Sequence, residues 1–196
     1  MTTKTLSRWL RRGAVCVASL AAAVVIVAGG IYGVVQYDGN FHAVEPGVVY
    51  RSAQLSGQKL DEVVRAHQIR SVLNLRGDNT GKPWYDDELR TTRADSVVHL
   101  DYALSAQHEL TQVQMQAVLK LIADAPKPVL IHCNAGADRT GLVSALYELS
   151  RGVPVTQATS QLSLRYGHFP WLGSGSVAMD RSLAAWVATA PSAPTR

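Results

Sequence analysis

A cysteine and an arginine close the two ends of a small-residue loop in the segment His132-Cys133-Asn134-Ala135-Gly136-Ala137-Asp138-Arg139-Thr140-Gly141. An apolar run, Pro128-Val129-Leu130-Ile131, leads into it and a helical pattern leads out. A strand that enters a short loop and then a helix N-terminus forms an anion cradle. Loop amides point inward, and the helix dipole adds positive potential. A cysteine at the mouth of such a cradle loses its proton readily, because the same donors stabilise the thiolate. Arg139 adds a planar, permanently charged fork matched to two phosphate oxygens. A nucleophile and a phosphate clamp in one loop point to phosphoryl transfer through a cysteinyl-phosphate. A lone buried cysteine beside a histidine is ordinarily inert core; the arginine, the flanking glycines and the strand-loop-helix context set this one apart. A zinc site lacks ligands, since no second cysteine lies within ligand spacing and one adjacent histidine does not complete a set.

The pattern Cys-x5-Arg-Thr-Gly after a histidine resembles the signature of the cysteine-dependent protein tyrosine and dual-specificity phosphatases. Its Ala-Gly-x-Asp-Arg-Thr-Gly wording is most similar to atypical bacterial, fungal and plant members. Tyr50-Arg51-Ser52-Ala53-Gln54-Leu55 and Val72-Leu73-Asn74-Leu75-Arg76-Gly77 also resemble the openings of such domains, so the similarity spans residues 45–170. The resemblance implies two steps: Cys133 attacks phosphorus in line with the ester oxygen, and water then releases phosphate. It assigns the equatorial oxygens to Arg139 and to the amides of Asn134, Ala135, Gly136, Ala137, Asp138 and Arg139. No metal or cofactor is implied, because the positive cradle takes the place of a magnesium ion. Thr140 would donate its hydroxyl to the Cys133 sulfur, and His132 would orient the loop through backbone contacts.

The leaving oxygen needs a proton, and family members carry an aspartate for this about thirty residues before the cysteine. Asp101, 32 residues before Cys133, is the first candidate, and Glu109 beside His108 is the second. Asp138 departs from lysine- or glycine-bearing versions of the loop. A carboxylate there must face away from phosphate, so it is expected to bond a neighbouring loop or Arg76. Ala137 stands where inositol-lipid phosphatases tend to carry lysine, which disfavours a polyanionic lipid substrate. Trp84-Tyr85-Asp86-Asp87-Glu88 either covers the cleft or starts an amphipathic helix. The segment from Arg165 through Phe169 to Trp171 either lines the rim or packs the last helix.

Residues 14–35 carry no charge and are almost wholly apolar. At about 1.5 Å per residue they are long enough for a hydrocarbon core of roughly 30 Å. Lys4, Arg8, Arg11 and Arg12 precede them, and the next lysine or arginine is Arg51. The positive-inside rule therefore predicts a single-pass plasma-membrane anchor with the remainder in the periplasm or outside the cell. A cleaved signal peptide and a buried helix are the competing readings; the run is long for the former, and Ala28-Gly29-Gly30 is a weak cleavage site. Four of the 19 lysines and arginines precede residue 36, where no acidic residue lies, so the remainder is balanced by 15 acidic residues. A neutral domain gives no basis for a nucleic-acid partner. Cys133 is the only thiol beyond the apolar run, so no disulfide can form within the domain.

The expected organisation is a basic flank over 1–13, the anchor over 14–35, a linker over 36–47, the phosphatase-like domain over 48–190 and a tail over 191–196. Asp38-Gly39-Asn40 and Pro46-Gly47 mark the linker. Strands are expected over 48–50, 71–75, 97–100 and 129–131. Helices are expected from Ser56 past His67, over 83–94, from Thr111, over 140–151, 156–166 and 177–189. Thr111 with Gln114 forms a capping box, Leu110 and Met115 a staple, and Val113, Val118, Leu121 and Ile122 an apolar stripe. Strands alternating with helices predict an α/β fold with a central, mainly parallel sheet flanked by helices, and a site at a strand's carboxyl end. The expected partner is a phosphorylated protein or a small phosphomonoester. A phospholipid or inositol phosphate is the alternative substrate. A sulfurtransferase and a catalytically silent phosphate-binding module are the rival activities.

Overall fold

The computed structural model describes residues 15–20, 22–23, 29–30, 33, 39–171 and 173–189. The chain divides into two compact units, Met1–Tyr37 and Asp38–Arg196. In the first, the described residues are helical. No helix among the described residues is long and apolar enough to cross a membrane. The anchor expected over 14–35 falls partly outside those residues, and the basic flank 1–13 and the tail 191–196 fall wholly outside them.

Among the described residues the second unit carries five strands: β1 (His42–Glu45), β2 (Val49–Ser52), β3 (Ser71–Asn74), β4 (Val98–Asp101) and β5 (Val129–His132). Their spatial order is β1-β2-β5-β3-β4, with β1 antiparallel to β2 and the other pairs parallel. The helices are α1 (Gly57–His67), α2 (Pro83–Ala94), α3 (Gln112–Asp124), α4 (Asp138–Ser150), the short α5 (Val155–Ala158) and α6 (Val177–Thr189). Successive strand residues face opposite sides of a sheet. Accordingly Leu73, Val129 and Ile131 pack with Met115, Val118, Ile122, Leu142, Leu146, Met179 and Leu183 of α3, α4 and α6. Tyr50, Val72 and Leu130 pack with Leu60, Val63 and Val64 of α1 on the other face. The sheet is thus covered on both sides, as a parallel sheet requires.

Local signals explain the element ends. Ser56 caps α1, and Thr111 and Gln114 form the reciprocal capping box of α3. Gly152, φ 81°, follows α4 in the left-handed conformation that a C-terminal glycine supplies.

Three expectations differ from the structure. The linker over 36–47 holds strand β1, and Asn40 is buried, because its amide bonds two backbone carbonyls of the domain. The helix expected over 156–166 is broken into α5 and two 3-10 turns, Thr159–Gln161 and Leu164–Tyr166. There Gln161 turns inward to bond Arg51 and Glu148, which a continuous helix would not permit. Val113 is 74% exposed, since Met115, Val118 and Ile122 form the buried face of α3.

Candidate active site

Strand β5 ends at His132, and α4 begins at Asp138, so Cys133 to Ala137 form the connecting loop at the carboxyl end of the sheet's central strand. Cys133 is 3% exposed and belongs to the apolar cluster under α4. Three successive loop carbonyls are tied outward. Asn134 O accepts from Gln54 N at 2.9 Å. Ala135 O accepts from Asn40 Nδ2 at 3.0 Å, and Gly136 O from Arg51 Nη2 at 2.6 Å. In a trans peptide the N–H opposes the C=O, so carbonyls held outward turn the amides of Gly136 and Ala137 inward. The chain thereby builds the concave set of donors that an anion needs.

The outer supports come from segments distant in sequence. Arg51 is fully buried, and its Nη1 donates to Gln161 O at 3.0 Å and to Gln161 Oε1 at 2.5 Å. Its guanidinium lies 3.8 Å from the centroid of the Tyr166 ring. Burial pushes Arg51 down to about 10, with Tyr166, Cys133 and Glu148 opposing, so it stays charged at neutral pH. Gly136 has φ +70°, and a β-carbon there would meet Ala53 N at 2.6 Å; only glycine fits against the end of β2.

Arg139, at the head of α4, donates from Nη1 to Leu75 O and Leu104 O, both at 3.2 Å. Its Nε is buried without a hydrogen-bond partner among the described residues, a donor that a phosphoryl oxygen would satisfy. A second arginine joins it. Arg76 stacks 3.5 Å over the Trp84 ring and donates to Gln54 Oε1 at 3.2 Å. Burial and then Arg139 lower its guanidinium, whereas Cys133 and Glu88 raise it, the mark of a cation set among the site's charges. Of the two readings of the Trp84–Glu88 cluster, the helix start holds, with Trp84 also supporting Arg76.

The remaining expected residues fall as follows. His132 is buried and its Nδ1 donates to Cys133 O at 3.3 Å, the backbone contact expected of it. Asp138 turns away from the loop, as its charge requires, to accept from His168 Nδ1 at 2.7 Å rather than from Arg76. His168 Nε2 donates to Asp180 at 3.1 Å. Burial alone would lower His168, but Asp138 and Asp180 outweigh it and raise it. The Arg165–Trp171 segment splits its roles: Tyr166 and His168 pack inward, while Phe169 and Trp171 are exposed.

Thr140 is fully buried, but its hydroxyl has no hydrogen-bond partner among the described residues. The bond to the Cys133 sulfur is therefore not formed here; the thiol packs instead among apolar neighbours. Asp101 is level with His132 across β3, since both pair with Asn74. Two strand spacings put their backbones about 10 Å apart. The Asp101 carboxylate is engaged on the α2 side, accepting from Asn74 Nδ2 at 2.8 Å and from the Tyr85 hydroxyl. Glu109 is drawn away to the surface by Arg181, at 3.4 Å.

Sequence reasoning missed four residues of this site's support: Asn40, Gln54, Arg51 and Glu88. Arg51 and Gln54 did carry a signal, because both sit in the opening segment that resembles a family motif. Asn40 was hidden in a turn-forming stretch, and Glu88 in a run of charges that reads as a solvated face.

A sequence profile of the tyrosine phosphatase family matches residues 31–160. No curated protein matches the chain. Among solved structures, P. aeruginosa TpbA superposes with TM-score 0.60 at 21% identity, covering 74% of this chain and 84% of that one. A variant of TpbA in complex with pTyr gives TM-score 0.58 at 24% identity, covering 78% and 85%. The core catalytic domain of the PP-IP phosphatase SIW14 from S. cerevisiae, in complex with citrate, gives TM-score 0.59 at 18% identity, covering 72% and 83%. These likenesses establish the fold, and the profile covers more than half of the sequence together with the loop, the arginine and the strand that presents them. The chain belongs to the tyrosine phosphatase family.

Proposed function

We propose that this protein is a cysteine-dependent phosphomonoester hydrolase that works through a cysteinyl-phosphate. The observation that carries this is the outward binding of the Asn134, Ala135 and Gly136 carbonyls by Gln54, Asn40 and Arg51. That arrangement spends three supports on aiming amides at one spot beside a buried thiol and Arg139. In the first step the Cys133 sulfur bonds to phosphorus as the P–O ester bond breaks; the departing oxygen takes a proton. In the second step water attacks phosphorus, the S–P bond breaks, and phosphate leaves. The loop amides and Arg139 hold the equatorial oxygens throughout, which is where charge gathers.

The substrate we infer is a phosphorylated protein or a small phosphomonoester. Asp101 is the first choice of general acid, on its place at the carboxyl edge of the sheet. A second reading, a catalytically silent phosphate-binding module, draws on the fact that both candidate acids are engaged elsewhere, Asp101 by Asn74 and Tyr85 and Glu109 by Arg181. The basic flank 1–13 and the apolar run 14–35 support a single-pass anchor in the plasma membrane, with the domain periplasmic or extracellular.

Vanadate-sensitive turnover of para-nitrophenyl phosphate by the full chain, abolished in Cys133→Ser, is the expected result. Phosphate binding without turnover would overturn the enzyme reading in favour of the silent module. Asp101→Asn is expected to lower turnover by roughly 10²-fold with an alkyl ester and less with para-nitrophenyl phosphate, whose phenoxide leaves unprotonated. A reporter fused after residue 196 that is active only outside the cytoplasm would support the topology; cytoplasmic activity would refute it.

A further inference from the structure

Glu88 is a carboxylate with no role in the chemistry above, yet it is 3% exposed and lies at the centre of the polar network beneath the loop. Period-two alternation explains how it meets its partners. Ile131, Leu73 and Leu100 face the α3/α4 side of the sheet, so the next residues, His132, Asn74 and Asp101, face α2. Register then brings them level, because Asn74 pairs with both His132 and Asp101. Glu88, on the buried face of α2, receives three donors from three different elements. They are His132 Nε2 of β5 at 3.2 Å, His99 Nε2 of β4 at 2.7 Å, and Gln54 Nε2 after β2 at 2.5 Å.

Two of these contacts lead back to the nucleophile. His132 Nε2 faces a carboxylate and its Nδ1 faces the Cys133 carbonyl. Both are acceptors, and a ring that donates to both of them carries two protons and a positive charge. Glu88 lies on the far side of that ring, with the cation between it and the cysteine's peptide. Gln54 makes the second route: its amide donates to Glu88 and its oxygen accepts from Arg76, while its backbone N–H holds Asn134 O. Those partners allow only one orientation of the Gln54 amide. Arg76 is in turn one of the charges acting with Cys133.

We propose that Glu88 is a positioning residue of the reaction: it keeps His132 as an imidazolium and, through Gln54, keeps Arg76 in place, so that two cations flank the Cys133 thiolate. Burial alone would raise the Glu88 carboxyl, but His132, His99 and Gln54 outweigh it and hold it well below the usual carboxylate range, so the anion persists at working pH. The groups facing Glu88 are His132 on β5, His99 on β4 with Asp101 behind it at 3.6 Å, Gln54 after β2, Arg76 after β3, and Tyr85 on its own helix. Of these, His132 leads to Cys133 through its backbone carbonyl, and Arg76 as a charge acting with it. The proposal rests on the thiolate reading of the site and extends it to a residue outside the loop.

The test uses the full chain in a Cys16→Ser background, so that Cys133 is the single thiol. Iodoacetate labelling against pH reports the thiol's ionisation without any substrate. Glu88→Gln is expected to move the labelling midpoint up by about one pH unit or more, and to lower kcat/KM for para-nitrophenyl phosphate at pH 6 roughly tenfold. KM is expected to stay within about threefold, and Glu88→Asp to recover part of the loss. A residue that merely braces α2 would lower the melting temperature and leave the midpoint alone. A midpoint in Glu88→Gln within about 0.2 units of the parent therefore overturns the proposal, whatever the melting temperature does.

If Glu88→Gln does not fold, linkage supplies the measurement in a folded protein. A thiolate that is stabilised by the His132 cation must stabilise that cation in return. The His132 ring, followed by NMR, is then expected to titrate lower in Cys133→Ser than in the parent, and identical titrations overturn the proposal. A parent protein with no phosphatase turnover refutes the enzyme reading, while the labelling midpoint still decides the role of Glu88.

Discussion

Replacing Gly136 with alanine tests how tightly the loop is built, and Gly47 provides its control. Both glycines have left-handed backbones, φ +70° and +75° respectively. A β-carbon at Gly47 meets nothing within 4 Å, whereas one at Gly136 meets Ala53 N at 2.6 Å and the Ser52 carbonyl carbon and oxygen at 2.7 Å. Each alanine costs about 1–2 kcal/mol for the left-handed conformation alone. At Gly136 the obstacle is strand backbone, which cannot rotate aside. The loop itself must retreat by about 0.5–1 Å to restore ordinary contact, at a further 1–3 kcal/mol or so of packing strain. For a domain of this size each kcal/mol is about 2–4 °C. Gly47→Ala should therefore lower the melting temperature by roughly 2–8 °C, and Gly136→Ala by roughly 4–20 °C. The kinetic contrast is larger, because a displacement near 1 Å in a phosphate cradle costs about 10²-fold. Thermal melting and para-nitrophenyl phosphate kinetics on the two variants settle it. Gly136→Ala with kcat/KM within about threefold of Gly47→Ala would refute the view that contact with β2 sets the loop's geometry.

Two further outcomes follow from the loop's supports. Arg51→Met removes the donor to Gly136 O and to Gln161 and leaves those buried acceptors unpaired. At about 1–3 kcal/mol per orphaned group, the three acceptors together put the loss at roughly 3–9 kcal/mol, with weaker protection of the melting temperature by vanadate as the second readout. His168 is raised above 6.5 by Asp138 and Asp180. A raised histidine contributes stability that is fully present below its unfolded value and is lost as pH rises through its folded value. Melting temperature should therefore fall as pH rises above 6.5, and His168→Gln should flatten that decline; equal slopes in the two proteins would contradict the ion pairs.

The chemistry of this protein is local, and local features are what a sequence displays. The loop's nucleophile and clamp, the strand before it and the helix after it lie within one short stretch. Their roles follow from spacing, caps and dipoles that involve only neighbours. The same holds for the α3 capping box and for the alternation that puts His132, Asn74 and Asp101 on one face. What makes the loop a cradle is not local. Gly136 is held by Arg51 and Ala135 by Asn40, across separations of 85 and 95 residues. No period or propensity encodes which segment arrives beside which, because that depends on strand order, and β5 inserts between β2 and β3 only when the sheet assembles. The misread linker and the misplaced helix have the same origin. The turn signal at Gly39-Asn40 is realised, yet Asn40 is buried against the domain rather than left in a linker, while the helical pattern after Thr156 is overridden by the inward turn of Gln161. Glu88 shows the converse: a carboxylate in a charged run becomes buried only because β4 and β5 present two histidines to the same face of α2. Sequence alone thus determined the reactive groups and their immediate frame; tertiary structure decided which distant side chains hold that frame still, since those contacts exist only between segments that folding brings together.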